Sequence, residues 1–144
     1  MNDKNVGSIH WSFWAIGAIA LIWNVMGSIN FFMQMNVDAF AAMSESQRAI
    51  IDARPTWATA AFAIAAFGGA LGSILLLLKK SAAFYLFTAS LLGMLVHMIP
   101  YLGITGSAIK LGPVEISMFI LLPFAVASFM TWYSKQAKSK SWLN

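Results

Sequence analysis

The chain has 144 residues, of which 60% are hydrophobic and 10% are charged, and its formal net charge is +4. A soluble domain usually carries about 25% charged residues, so this composition excludes an ordinary soluble globular protein and indicates one embedded in a lipid bilayer. The sequence contains no cysteine, which excludes disulfides, thiolate metal sites and cysteine nucleophiles.

The first apolar stretch, from Trp11 to Met35, is long enough to cross a bilayer, since a helical crossing needs about 20 residues. It carries amide side chains where lipid offers them no hydrogen-bonding partner. Asn30 and Gln34 lie one turn apart on one helical face, and Asn24 flanks that face near the middle of the stretch. We therefore expect this face to point at other protein, at trapped water or at a ligand.

The connection between the first two spans is predicted to form a short extracytoplasmic helix from about Glu45 to Ala53. Ser44 and Gln47 have the spacing of a capping box. Arg48 and Asp52 have the i, i+4 spacing of a helical ion pair. Two interpretations remain open for this helix, which is either a solvated part of the loop or a lid over an outward-facing pocket.

The second span is predicted over about residues 55–78, with Pro55 in its first turn. Small side chains recur along one of its faces and let helices approach closely in lipid. This ridge comprises Ala58, Ala61, Ala65, Gly69 and Ser73. It predicts close packing, either within the monomer or between copies of the chain.

The third and fourth spans are predicted over about residues 81–102 and 114–134. In the third, His97 and Tyr101 share one face, and Pro100 predicts a kink or an early end near His97. In the fourth, Glu115 lies in the first turn, where a carboxylate complements the helix dipole, and Pro123 predicts a kink. A glycine-rich connection, residues 103–113, joins the two spans.

Together these elements predict one domain over residues 1–144, an all-α polytopic membrane protein whose four transmembrane helices form an antiparallel bundle. With both termini in the cytoplasm, six of the nine basic residues face inward, as the positive-inside rule favours: Lys4, Lys79, Lys80, Lys135, Lys138 and Lys140. Arg48, Arg54 and Lys110 then lie outside. Because topology accounts for the basic residues, we expect no nucleic-acid partner.

This threading brings polar residues of three spans into the outer half of the membrane. Polar and ionisable groups at that depth are costly and usually face the bundle interior. The sequence therefore predicts a polar pocket open to the outside, lined by these candidate ligand-binding residues: Asn24, Asn30, Gln34, His97, Tyr101 and Glu115.

Each candidate also has a structural interpretation. The amides can simply bond neighbouring helices, and His97 can bond a carbonyl freed by Pro100. Tyr101 can be an interfacial tyrosine, and Glu115 can be an ordinary helix-start acid. The hypothesis of a site therefore depends on the convergence of these residues and not on any one of them.

Motifs for catalysis are absent from the sequence, which has no G-x-S-x-G, no H-E-x-x-H, no Walker loop and no dinucleotide fingerprint. We expect no enzymatic activity, no metal and no cofactor. The two histidines, His10 and His97, are predicted at opposite membrane faces, which excludes bis-histidine haem within one monomer.

Two segments resemble a known group of proteins. They are LIWNVMGSINFFMQM in the first span and RPTWATAAFAIAAFGGALGSILLLLKK in the second. They are similar to small bacterial four-helix inner-membrane proteins, many of them uncharacterised and some labelled as sugar transporters. The shared pattern is W-N-x-x-G followed by an aromatic residue and Gln. The resemblance implies a bacterial cytoplasmic membrane and supports solute binding.

Two functions are compatible with these observations. The first is binding or transport of a small polar solute through the outer pocket, by a homo-oligomer that supplies additional walls. The alternative is a non-catalytic accessory or assembly subunit of a larger membrane complex, in which the amides and the small-residue ridge form the interface.

Overall fold

The structure is a computed structural model that describes residues 8–104 and 112–144. Its helices are α1 (Trp11–Met35), α2 (Val37–Ala41), α3 (Glu45–Asp52), α4 (Thr56–Leu77), α5 (Ala82–Ile104) and α6 (Pro113–Ser139). Within the described residues, α1, α4, α5 and α6 are the helices long and apolar enough to cross a membrane. The predicted all-α fold with four candidate spans is therefore confirmed.

The four long helices lie side by side in the order α1, α4, α5, α6, because α4 packs on both α1 and α5 and α6 packs on α5. In the most apolar window of each helix, 39% of residues are buried in α4 and 33% in α5. The same share is only 11% in α1 and 6% in α6. The central pair therefore supplies the core, and α1 packs on α4 while α6 packs on α5, with little direct backbone approach between α1 and α6.

The small-residue ridge of α4 forms the helix contacts within this chain. A Cβ built on Gly93 of α5 would lie only 2.8 Å from the carbonyl oxygen of Ala61. Ser90 of α5 donates a hydrogen bond of 2.6 Å to the carbonyl oxygen of Ala65. Backbones can approach this closely only where side chains are small, as is typical of helix pairs in lipid.

The same ridge also meets α1, through Asn24. The amide Nδ2 of Asn24 donates to the carbonyl oxygen of Ala20 at 2.8 Å and lies 3.5 Å from the hydroxyl of Ser73. A Cβ on Gly69 would overlap the Asn24 amide. Glycine at this position therefore makes room for a polar side chain between α1 and α4.

The connection from α1 to α4 contains one helix more than predicted. The capping box of α3 is confirmed, since Ser44 and Gln47 each bond the other's backbone. The additional helix is α2, which Asn36 caps by accepting from the amide of Ala39 at 2.9 Å. Among the described residues the predicted ion pair inside α3 does not form, and Nε of Arg48 is buried without a hydrogen-bond partner.

Both helix prolines lie inside continuous helices. For Pro100 the predicted alternatives were a kink or an early end, and α5 continues to Ile104, so the early end does not occur. In α6 a π-helical turn, Ser117–Leu121, ends two residues before Pro123 and accommodates the missing hydrogen bond there. α6 also extends five residues beyond its predicted end at 134, to Ser139, because Ala137 packs in the core. The glycine-rich connection lies largely outside the described residues.

One end of the bundle is closed by an apolar cluster that includes Phe13, Tyr133, Trp142 and Leu143. The last residue, Asn144, exchanges backbone hydrogen bonds with the α4–α5 turn. We call this the tail end, and the opposite end, which carries α2 and α3, the α3 end. The helices therefore pack against one another through side chains at the tail end, whereas the α3 end contains a cavity.

Candidate functional site

A cavity of about 910 Å³ lies between α1 and α6 in front of the central helix pair. Its lining includes every candidate residue named from the sequence, together with one arginine: Asn24, Asn30, Gln34, Arg54, His97, Tyr101 and Glu115. Four long helices and the connection between α1 and α4 contribute to it. The structure thus brings the predicted residues together around one space.

Arg54 organises the polar side of the cavity. Its Nη2 donates to Oε1 of Gln34 at 2.7 Å, and its Nε donates to the hydroxyl of Thr59 at 3.1 Å. Nε2 of Gln34 in turn donates to Oδ1 of Asn30. The guanidinium also lies 5.5 Å from the ring centroid of Phe62, within the range of a cation–π contact. One cation thereby joins the polar face of α1 to the start of α4.

His97 and Tyr101 form a second, buried polar group, with exposed fractions of 5% and 6%. Nδ1 of His97 lies 3.1 Å from the carbonyl oxygen of Ala58, and Nε2 lies 3.4 Å from the hydroxyl of Tyr101. Because a carbonyl only accepts, Nδ1 is the donor, and in a neutral imidazole Nε2 then accepts from the tyrosine. The partner of His97 is therefore α4 rather than the carbonyl that Pro100 frees.

Phe62 lies between the two polar groups. Its ring stacks on His97, with centroids 4.9 Å apart and planes 25° from parallel, and it also contacts the Arg54 guanidinium. The arginine network and the histidine–tyrosine pair thus share one aromatic neighbour. Arg54 also lies beside the Tyr101 hydroxyl, so the two groups form one polar strip along the cavity wall.

The other two candidates lie at the margins of the strip. Asn24 is half-buried and already bonded to α4 and to its own helix, as the structural interpretation requires. Glu115 is half-buried in the first turn of α6, on the other side of the cavity. Asn24 therefore acts first as a helix contact, whereas Glu115 adds a carboxylate to the lining.

Helix α3 covers the cavity at its own end. Ile50 is buried against Tyr101 and Ile120, and Gln47, Ile50 and Ile51 all line the cavity. Of the two interpretations of this helix, the arrangement favours the lid. The cavity nevertheless reaches the surface, since Asn30 and Ser46 are exposed.

Arg54 is the charged lining residue that the sequence analysis did not select. The positive-inside argument only places Arg54 in the outer loop. Because Arg54 precedes the helix, helical spacing does not group it with the other candidate residues. Its position directly before Pro55, at the start of α4, could have indicated a role in the cavity, because a long side chain there can reach a space at the helix ends.

A second, apolar groove of about 420 Å³ continues the cavity towards the tail end. Its lining is Ile16, Ile19, Ala20, Trp23, Ala125, Val126, Phe129 and Met130. Trp23, Val126 and Met130 line both spaces. The gap between α1 and α6 is therefore polar at the α3 end and apolar below it.

The chemistry of the site is that of hydrogen bonding and charge. Among the described residues no three histidine, aspartate or glutamate side chains come together to hold a metal ion. No family model, curated protein or solved structure matches this chain. The resemblance to small bacterial four-helix membrane proteins therefore stays a prediction.

Proposed function

We propose that this membrane protein binds a small polar solute in the cavity between α1 and α6. The observation that supports the proposal is the convergence of Arg54, Gln34, Asn30, His97 and Tyr101 on one cavity. Binding sites are concave, largely apolar and equipped with a few polar groups that fix the ligand's orientation. This cavity has that composition, with methionine and phenylalanine beside the polar strip.

Arg54 is the principal binding group in this proposal. A guanidinium carries five N–H donors, and two of its hydrogen bonds go to Gln34 and Thr59. The guanidinium also contacts the Tyr101 hydroxyl, and the donors that remain are available to a carboxylate, a phosphate or a sugar hydroxyl. Asn30 and Tyr101 would add neutral hydrogen bonds at the edge of the same ligand.

The cavity is open at one end of the bundle and closed at the other, which also agrees with a transport role. The cavity reaches the surface at the α3 end, and the cluster around Phe13, Tyr133 and Trp142 closes the tail end. With the termini in the cytoplasm, this is an outward-facing arrangement. Passage of a solute would require the cluster to separate, and a homo-oligomer would provide walls that four helices alone do not supply.

The alternative role as an accessory subunit has less structural support. Its expected interface consisted of the amides and the small-residue ridge. Within the described residues both are used inside the chain, since Asn24 bonds α4 and the ridge packs against α1 and α5. A subunit role would need a different surface.

The proposal is tested by measuring binding of glucose, lactate and inorganic phosphate to the purified protein in amphipol, by calorimetry. We expect at least one probe to bind, and Arg54→Gln to weaken that binding by about tenfold to a hundredfold, since hydrogen bonds to a charged group contribute about 1.5–3 kcal/mol. The matched control is Arg48→Gln, because Arg48 lies in the same connection but does not line the cavity.

A second variant, Asn30→Ala, guards against loss of folding, since Asn30 is exposed. It should weaken binding while the unfolding temperature stays close to that of the wild type. The proposal is wrong if no probe binds, or if Arg54→Gln and Arg48→Gln have equal effects. Co-purification of a stoichiometric foreign subunit would support the alternative.

A further inference from the structure

The gap between α1 and α6 has an unusual combination of properties. Its α3 end carries a cation and an anion, and its lower part is an apolar groove that faces the bilayer. We propose that the ligand is a phospholipid-like amphiphile, with a zwitterionic phosphate–amine head group in the polar cavity and a hydrocarbon chain in the groove. This inference rests on the proposed function and specifies the class of its ligand.

The two spaces are continuous and open to lipid. Trp23, Val126 and Met130 line both the polar cavity and the groove. Ile19 and Phe129, which line the groove from opposite sides, are 67% and 45% exposed. A chain that entered sideways from the bilayer would therefore reach the polar strip without crossing the α4–α5 core.

The lining of the groove suits a hydrocarbon chain. The groove of about 420 Å³ is lined by aliphatic, aromatic and methionine side chains, with no charged group among them. Contact with such side chains removes a hydrocarbon chain from water without leaving a polar group unpaired.

The depth of the groove also matches one leaflet. From Asn30 to Ala20, α1 rises about 15 Å, which is half of the roughly 30 Å hydrocarbon core of a bilayer. A head group at the level of Asn30 would place the end of its chain near Ala20, which lines the groove. The distance from the polar cavity to Ala20 in the groove thus matches the length of a lipid chain that spans one leaflet.

The charges of the cavity indicate the head group. Arg54 and Glu115 line the same space, yet within the described residues neither forms an ion pair. Unpaired opposite charges near lipid are costly. A phosphate bound to Arg54 and an amine beside Glu115 would compensate both, and bidentate contact is the typical way in which arginine binds phosphate.

The test compares three probes with the protein in amphipol: lauroyl lysophosphatidylethanolamine, lauroyl lysophosphatidylglycerol and free phosphoethanolamine. We expect the first to bind at least tenfold more tightly than the other two. Glu115→Gln should abolish the preference for the zwitterionic over the anionic lipid.

Variants of the groove separate the chain from the head group. Ala125→Phe fills the groove, and Ala60→Phe is its control, since Ala60 is also an exposed alanine but does not line the gap. Ala125→Phe should weaken the lysolipid at least tenfold and leave phosphoethanolamine binding unchanged. A second pair, Ile19→Trp against Ile29→Trp, serves the same purpose if Ala125→Phe does not fold.

Two results would overturn the proposal of an amphiphilic ligand: equal binding of lauroyl lysophosphatidylethanolamine and phosphoethanolamine, or equal effects of Ala125→Phe and Ala60→Phe on lysolipid binding. So would a lack of preference between the two lipids in the wild type. In those cases the proposed function survives as long as Arg54→Gln still weakens a polar probe. If Arg54→Gln changes no probe, both proposals fail.

Discussion

A single methyl group placed on Gly69 should loosen the contact between α1 and α4. The Cβ of Gly69→Ala would overlap the amide of Asn24, which is held by Ala20 and Ser73. The Asn24 side chain would have to turn away or the two helices would have to separate. Either movement breaks the hydrogen bond between α1 and α4.

The size of the effect follows from three contributions, two that destabilise the variant and one that stabilises it. Overpacking of a close contact costs about 1–3 kcal/mol, and loss of an interhelical hydrogen bond in a membrane protein costs about 0.6 kcal/mol. Replacing glycine by alanine within a helix returns up to about 1 kcal/mol. We therefore expect Gly69→Ala to lower the free energy of unfolding by about 0.6–2.6 kcal/mol.

Gly27→Ala is the matched control, because it adds the same methyl group on the α1 side of the same helix pair. Its Cβ would meet only Cβ of Ala66, at 3.9 Å, which is an ordinary van der Waals contact. We expect Gly27→Ala to be neutral or slightly stabilising. Thermal unfolding in one detergent, followed by circular dichroism, measures both variants, and the expected loss corresponds to roughly 1–10 °C.

The double variant Asn24→Ala/Gly69→Ala identifies the cause. If the Asn24 amide is what the new methyl group strikes, its removal should make the Gly69 change cost less than in the wild-type background. A Gly69→Ala protein as stable as the wild type, or additive effects in the double variant, would refute this account of the α1–α4 contact.

Three further predictions concern topology, the site and the core. With the termini in the cytoplasm, an impermeant thiol reagent on intact cells should label Ser46→Cys but not Ser139→Cys, and the reverse pattern would invert the topology. His97→Ala should destabilise the fold by about 1–3 kcal/mol, since the buried ring bonds α4, whereas Asn30→Ala should leave the unfolding temperature nearly unchanged; equal effects of the two would contradict the site's division into buried and exposed parts. Ser90→Ala should cost about 0.6–1.7 kcal/mol through loss of its bond to α4, and an unchanged unfolding temperature would argue against that bond.

Local features of the fold were predictable because neighbouring residues decide them. The bounds of α1 follow from an uninterrupted apolar stretch, and they agree with the prediction to the residue. The start of α3 follows from Ser44 and Gln47, whose side chains bond backbone groups three residues away. The presence of a close helix contact likewise follows from the spacing of small side chains along α4.

Other features depended on what lies across the bundle. The ridge of α4 could have met a second copy, and only the packed structure shows that Asn24 of α1 and Gly93 of α5 occupy it. Pro100 was expected to kink its helix or to end it early, and only the structure shows that α5 continues through it to Ile104. These outcomes involve residues far apart in the chain, which no local pattern encodes.

The site divides in the same way. Its polar residues were identifiable from the sequence, since an amide or a histidine within an apolar span has to face something other than lipid. Their common cavity, the central position of Arg54 and the groove below it were decided by tertiary structure. The physical reason is that a cavity forms where helices do not touch: α1 packs on α4 and α6 packs on α5, and the space left between α1 and α6 depends on that packing and not on any local pattern.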